Sequence, residues 1–252
     1  MIHKEYMTII EQKEIAPRIF EMTMEGTLVS SMSMPGQFVH IKVSGGNHPL
    51  LRRPISIAQI DKKNSHFTIV YRTEGEGTSL LSLKKSGDKV DVLGPLGKGF
   101  PVEEAHQGGK ALLIGGGIGI PPLLQLSREL KSKGVVVKHV LGLRSKEDIF
   151  YEQEFVSLGE TIITTEDGTE GIKGYVTSAP DFTADIVYSC GPTPMLKAVT
   201  EQYQGKKVFI SLEERMGCGI GACFACVCHT PNKGYKKICS DGPVFKAEEV
   251  LL

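Results

Sequence analysis

The chain has 252 residues, more than one domain of ~100–150 residues needs, and its 40% hydrophobic and 23% charged content is that of a globular protein rather than a disordered one. Lys+Arg and Asp+Glu number 29 each, so the net charge is zero and the basic excess of a nucleic-acid binder is missing. No apolar run approaches the ~20 residues of a membrane span, and Met1-Ile2-His3-Lys4-Glu5 lacks a signal-peptide stretch, which sets the expectation of a soluble cytoplasmic protein without nucleic-acid or membrane partners.

The first hundred residues alternate with a period of two. Phe20, Met22 and Met24, then Val39, Ile41 and Val43, then Phe67, Ile69 and Tyr71 mark half-buried strands. Ser44-Gly45-Gly46-Asn47 and Asp61-Lys62-Lys63-Asn64 read as turns between them. With Ile55–Ile60 and Val90–Leu93 the count comes to about six strands, enough to close a small antiparallel barrel. A Gly-Thr-Ser start predicts one short helix at Ser79–Lys85.

After Phe100-Pro101 strands alternate with helices. Ala111–Ile114 is an apolar strand, followed by a helix from Pro121 to Lys133 with Leu123, Leu126 and Leu130 on one face. Then come Val135–Leu141, a helical stretch around Asp148–Leu158, Thr161–Thr165, Ile186–Tyr188, a helix at Pro194–Tyr203, and Val208–Leu212. This order predicts a parallel sheet with helices on both faces. The last forty residues show little periodicity. The expected division is 1–100, 101–212 and 213–252.

Five of the six cysteines fall in that last segment. Cys218, Cys223 and Cys226 are spaced C-x4-C-x2-C, and Cys239 follows, which is the spacing of plant-type [2Fe–2S] ligation. Gly217, Gly219, Gly221 and Ala222 leave a nearly bare loop that can wrap a cluster and aim N–H groups at its sulfurs. Cys228 has no partner at the required spacing and reads as a bystander. The competing reading is a structural zinc site, although zinc sites more often pair two C-x2-C knuckles.

Two further loops sit where strands meet helices. Gly115-Gly116-Gly117-Ile118-Gly119-Ile120-Pro121-Pro122 would let a phosphate approach the backbone, but Pro122 stands where the standard dinucleotide fingerprint has its third glycine. A tight turn without a ligand is its plain alternative. Cys190-Gly191-Pro192-Thr193-Pro194-Met195 would lie at the same carboxyl edge of the sheet. Cys190 is equally a candidate buried core thiol. In the barrel half, Arg52-Arg53-Pro54-Ile55-Ser56, Val70-Tyr71-Arg72 and Gly75-Glu76-Gly77-Thr78 could form a pyrophosphate clamp, or merely surface arginines beside a capped helix.

The order of these motifs, R-P-x-S, then G-G-G-x-G-x-x-P, then C-G-P-x-x-M, resembles the ferredoxin–NADP reductase superfamily. With Ser211-Leu212-Glu213-Glu214-Arg215-Met216-Gly217-Cys218-Gly219-Ile220-Gly221-Ala222-Cys223 added, the chain resembles the electron-transfer subunits of B-type dihydroorotate dehydrogenase over essentially its whole length. The resemblance implies a six-stranded antiparallel FAD-binding barrel, a parallel α/β NAD-binding domain and a small C-terminal [2Fe–2S] domain. It implies that Arg53, Pro54, Ile55 and Ser56 line FAD, with Arg53 on the phosphates and Ser56 near the flavin edge. Ile55 departs from the superfamily, where many members carry a Tyr. Val70, Tyr71 and Arg72 would form a second contact, and Gly77 and Thr78 would hold the pyrophosphate. Gly115, Gly116, Gly117 and Gly119 would receive NAD(H), with Cys190, Gly191 and Pro192 beside the nicotinamide and Arg144 toward the adenosine. Cys218, Cys223, Cys226 and Cys239 would hold the cluster.

NADH gives up two electrons as a hydride and an iron–sulfur centre takes one at a time, so a flavin has to stand between them. No length remains for an organic-substrate domain, which predicts a partner. The resemblance names an FMN-containing catalytic subunit that oxidises dihydroorotate in pyrimidine synthesis, in a heterotetramer of two plus two. The rivals are a subunit serving ferredoxin or a hydrogenase with the same cofactors, and a zinc-stabilised binding module.

Overall fold

The computed structural model describes residues 2–46 and 48–252; Met1 of the N-terminal reading and Asn47 of the predicted turn lie outside them. Six strands come first: β1 (His3–Ala16), β2 (Ile19–Glu25), β3 (Phe38–Lys42), β4 (Arg53–Asp61), β5 (His66–Arg72) and, after helix α1 (Glu76–Ser82), β6 (Lys89–Leu96). They close into an antiparallel barrel in the order β1-β2-β5-β4-β3-β6, as expected. Alternate side chains fill it: Met7, Ile9, Met22, Met24, Val39, Ile41, Ile57, Ile69 and Val92 form one buried cluster. The 14-residue β1 has no clear sequence signature because only Met7, Ile9 and Ala16 of it are buried.

Helix α1 begins three residues earlier than the sequence predicts and ends at Ser82 rather than Lys85. The Thr78 hydroxyl accepts the N–H groups of Glu74 and Gly75 at 3.1 and 3.3 Å, so the first turn is fastened at Gly75.

The second half carries β7 (Lys110–Gly116), α2 (Pro121–Ser132), β8 (Val136–Leu143), α3 (Glu152–Leu158), β9 (Glu160–Thr165), β10 (Ile172–Lys173), β11 (Ile186–Cys190), α4 (Thr193–Gln202) and β12 (Lys207–Ser211). The parallel strands order as β10-β9-β8-β7-β11-β12. Residues alternate across the sheet, so Ala111 and Leu113 meet Leu123 and Leu126 of α2 and Phe155 of α3 on one face. Leu112 and Ile114 meet Leu196 and Val199 of α4 on the other.

The C-terminal segment holds more structure than its weak periodicity suggests: β13 (Val227–His229), β14 (Tyr235–Lys237) and β15 (Val244–Lys246). The first two form a hairpin. β15 pairs antiparallel with β12 and extends the sheet to seven strands, making it mixed rather than purely parallel. Lys98 N–H donates to Gly242 O at 2.6 Å, and Leu212 N–H to Pro243 O at 2.9 Å, which ties this segment to the barrel's exit and to the sheet. The result is a continuous core: Phe38 and Leu96, facing out of the barrel, pack with Met216, Cys226, Ile238, Cys239 and Phe245. Among the described residues, no helix is long and apolar enough to cross a membrane.

Candidate cluster, flavin and nucleotide sites

The four spaced cysteines converge. Cys218 N–H donates to Cys223 Sγ at 3.3 Å, Ile220 and Ala222 N–H to Cys218 Sγ at 3.4 and 3.2 Å, Gly221 N–H to Cys239 Sγ at 3.2 Å, and Cys239 N–H to Cys226 Sγ at 3.4 Å. Gly219 and Gly221 adopt φ of 73° and 85°, the left-handed region that turns these N–H groups inward. Burial, a hydrogen bond with Cys226 and the charges of Cys226 and Cys218 all push the Cys239 thiol up. At Cys218, burial is outweighed by the backbone N–H donors, which bring the thiol down to about 7. Four cysteine sulfurs brought to one loop region, each receiving a backbone N–H donor, suit an iron–sulfur centre. The donor set therefore fits the group.

Cys228 belongs elsewhere. It lies on β13, and its thiol donates to Lys236 O at 3.6 Å across the hairpin.

Two side chains that belong to no sequence motif frame the loop. Lys237 Nζ donates to Gly221 O at 2.7 Å and lies 4.0 Å from the centre of the Phe224 ring. His40 presses on the loop from the barrel side, because a Cβ at Gly219 would stand 2.5 Å from His40 Nδ1. Burial pushes the His40 ring down to about 4, so it is neutral at physiological pH.

The barrel motif separates into working and structural members. Arg52 is committed to an ion pair with Asp91 at 2.9 Å and to the His40 carbonyl at 3.2 Å. Arg53 instead donates to Leu51 O and lies across Gly77, where a Cβ would stand 2.2 Å from Nε. Pro54 and Ser56 are half-buried on β4, whereas Ile55 joins the barrel interior. Tyr71 stacks on Phe20 and donates its hydroxyl to Gln12 Oε1 at 2.8 Å; the Gln12 amide in turn donates to the Ser82 and Lys84 carbonyls. Its side chain thus holds α1 on the barrel. Val70 turns the other way, into the core shared with the sheet.

At the carboxyl edge of the sheet lies a cavity of about 560 Å³. Gly116, Gly117, Arg144 and Pro192 line it, and so does Arg72 from the barrel motif. The other loop residues stand behind it. Gly119 packs on the backbone of the neighbouring strand, where a Cβ would lie 2.4 Å from Cys190 O, and a Cβ at Gly115 would lie 2.9 Å from Ile120. Gly191 and Gly116 both approach Met195, at 2.6 and 2.4 Å from an added Cβ. Cys190 is 1% exposed, and burial pushes its thiol far above the ordinary range.

These features have close counterparts. The family model for the iron–sulfur cluster binding domain of dihydroorotate dehydrogenase B matches residues 213–251. A protein of Bacillus pumilus (strain SAFR-032), named dihydroorotate dehydrogenase B (NAD(+)), electron transfer subunit, is 59% identical over 99% of this chain and 98% of its own. The protein of the same name from Bacillus cereus (strain AH187) is 57% identical over the full length of both chains. Among solved structures, an NADH-dependent reduced ferredoxin-NADP oxidoreductase studied for flavin-based electron bifurcation superposes with a TM-score of 0.88 at 33% identity, over 98% of this chain and 90% of that one. The ferredoxin reductase of carbazole 1,9a-dioxygenase, at 20% identity and a TM-score of 0.67 over 82% of this chain and 67% of that one, shares the fold. With full-length relatives this similar, the chain belongs to the family of dihydroorotate dehydrogenase B electron transfer subunits.

Proposed function

We propose that this chain carries electrons between an FMN-containing subunit that oxidises dihydroorotate and NAD+, within a cytoplasmic heterotetramer of two plus two. The observation that carries the reading is contiguity. Arg72 of the flavin motif lines the same cavity as Gly116 and Gly117, and β3 and β4 of the barrel adjoin the cysteine loop through His40. When bound, FAD and [2Fe–2S] supply the conversion between two-electron and one-electron transfer that such a relay needs.

Each residue's part follows from its place. Arg53 of β4, lying over Gly77 of α1, holds the pyrophosphate together with Gly77 and Thr78, while Pro54, Ile55, Ser56, Val70, Tyr71 and Arg72 shape the flavin wall from β4 and β5. Gly116, Gly117 and Pro192 receive the nicotinamide nucleotide, and Gly115, Gly119, Cys190 and Gly191 hold that loop pair in shape. Cys218, Cys223, Cys226 and Cys239 ligate the cluster. The division into units 1–100, 101–212 and 213–252 follows these three tasks.

The first experiment is the visible spectrum of anaerobically purified protein with and without NADH, followed by gel filtration with the candidate catalytic subunit. Flavin bands on an iron–sulfur background, bleached by NADH, and co-elution in a two-plus-two complex support the reading. A colourless zinc protein overturns it. A coloured protein that ignores the dihydroorotate-oxidising subunit but reduces ferredoxin rapidly would instead match the ferredoxin chemistry that names its 33%-identical structural relative.

A further inference from the structure

The barrel contains one side chain whose position nothing in its folding explains. On β3, Val39 and Ile41 point into the barrel core, so His40 between them points out. It is 0% exposed, and neither ring nitrogen has a hydrogen-bond partner among the described residues. Leaving a buried N–H unpaired is costly, and native structures rarely leave one without reason. The ring lies against Gly219, between Cys218 and Cys223, with the Arg52 and Cys218 backbones beside it but outside hydrogen-bond geometry. On its own strand pair, His40 stands opposite Pro54 of the flavin motif, and its carbonyl accepts from Arg52. One residue therefore abuts the flavin wall through its backbone and the cysteine loop through its ring.

We propose that His40 donates its ring N–H to a sulfur of the [2Fe–2S] centre held by this loop, raising the centre's reduction potential and fixing it against the barrel strand that pairs with the flavin-motif strand. A sulfur acceptor is what the unpaired N–H lacks, and the reduced centre carries the extra negative charge that a donor stabilises. His40 acts here as a positioning residue. Gly219 is glycine partly for this reason, since any side chain would occupy the ring's place.

The inference rests on the cluster assignment, and the two fail separately. Iron and sulfide content, with the EPR signal of the dithionite-reduced wild-type holoprotein, tests the assignment first; only a protein with that signal poses the His40 question. Pulsed EPR on protein labelled with 15N-histidine should then show a 15N coupling to the reduced centre, absent in His40→Gln. Potentiometric titration followed by EPR should give His40→Gln, which keeps an N–H donor, a reduction equilibrium within about twofold of wild type. His40→Phe should shift that equilibrium about tenfold toward the oxidised form, or about 59 mV for one electron. Absence of any 15N coupling in wild type, its survival in His40→Gln, or an unchanged potential in a folded His40→Phe would each overturn the proposal. Should the Phe variant fail to fold, the coupling experiment on wild type and His40→Gln decides alone.

Discussion

Arg53 lies so close over Gly77 that an added Cβ would meet its Nε at 2.2 Å, which places a motif arginine without a carboxylate partner among the described residues directly on the first turn of α1. Two segments separated by the hairpin of β4 and β5 thus make one cradle. Arg52, its neighbour, is spent on Asp91 and contributes architecture instead. Gly77→Ala should push Arg53 off the helix while leaving the barrel core intact, because that core lies on the other side of β4. The expected loss is about tenfold or more in FAD affinity, or about 1.4 kcal/mol, read by fluorescence titration of the deflavinated protein. Unchanged affinity would mean that Arg53 does not hold the flavin phosphates.

The cysteines divide by the donors that reach them. Cys223→Ser removes a sulfur that accepts the Cys218 N–H, and should abolish or cripple the [2Fe–2S] centre while NADH still reduces FAD. Cys228→Ser should retain a full complement of iron and sulfide, since that thiol serves only the Lys236 carbonyl. Iron content and the visible spectrum of both variants check this, and loss of the cluster in Cys228→Ser would refute the ligand set.

Gly119 presents the opposite case from Gly77, because what it meets is backbone. A Cβ there would lie 2.4 Å from Cys190 O and 2.6 Å from Gly191 N, neither of which can swing aside. Gly119→Ala should force apart the two loops at the sheet's carboxyl edge, at about 1–3 kcal/mol of stability. The KM for NADH should rise about tenfold with little change in cluster content. A variant with wild-type KM and Tm would show that the loops tolerate separation.

What the sequence reveals depends on how local the determinant is. The proposed cluster ligands are legible because three of them, Cys218, Cys223 and Cys226, share one short loop with a recognisable spacing. The glycine loops are legible as loops, but their letters do not tell Gly116 and Gly117, which face the cavity, from Gly119, which is glycine for the sake of Cys190. Neither the pairing of β15 with β12 nor the contact of His40 with Gly219 has a local signal, since each joins distant stretches of chain. Tyr71 illustrates a subtler limit: its motif marks the right strand, yet its hydroxyl is engaged by Gln12, which no motif includes.

A second buried histidine governs stability at acid pH. His139 on β8 is 0% exposed, with Nε2 2.8 Å from Ser127 Oγ, Nδ1 2.9 Å from Thr161 Oγ1, and its ring edge-on to Phe155. Burial first, opposed by a backbone hydrogen bond and reinforced by Lys131, pushes it down to about 4 from 6.5. Its folded-state pKa lies below the unfolded one, so the unfolded chain binds the proton first as pH falls. Its contribution is therefore unchanged above about pH 6.5 and turns against the fold between about 6.5 and 4. From pH 7.5 to 5 this single group should remove about 2 kcal/mol of unfolding free energy. His139→Gln can keep both hydroxyl contacts without titrating, so its urea-unfolding curves at the two pH values should differ by about 2 kcal/mol less than those of wild type. Equal pH dependence in the two proteins would show that His139 is not held neutral in the fold.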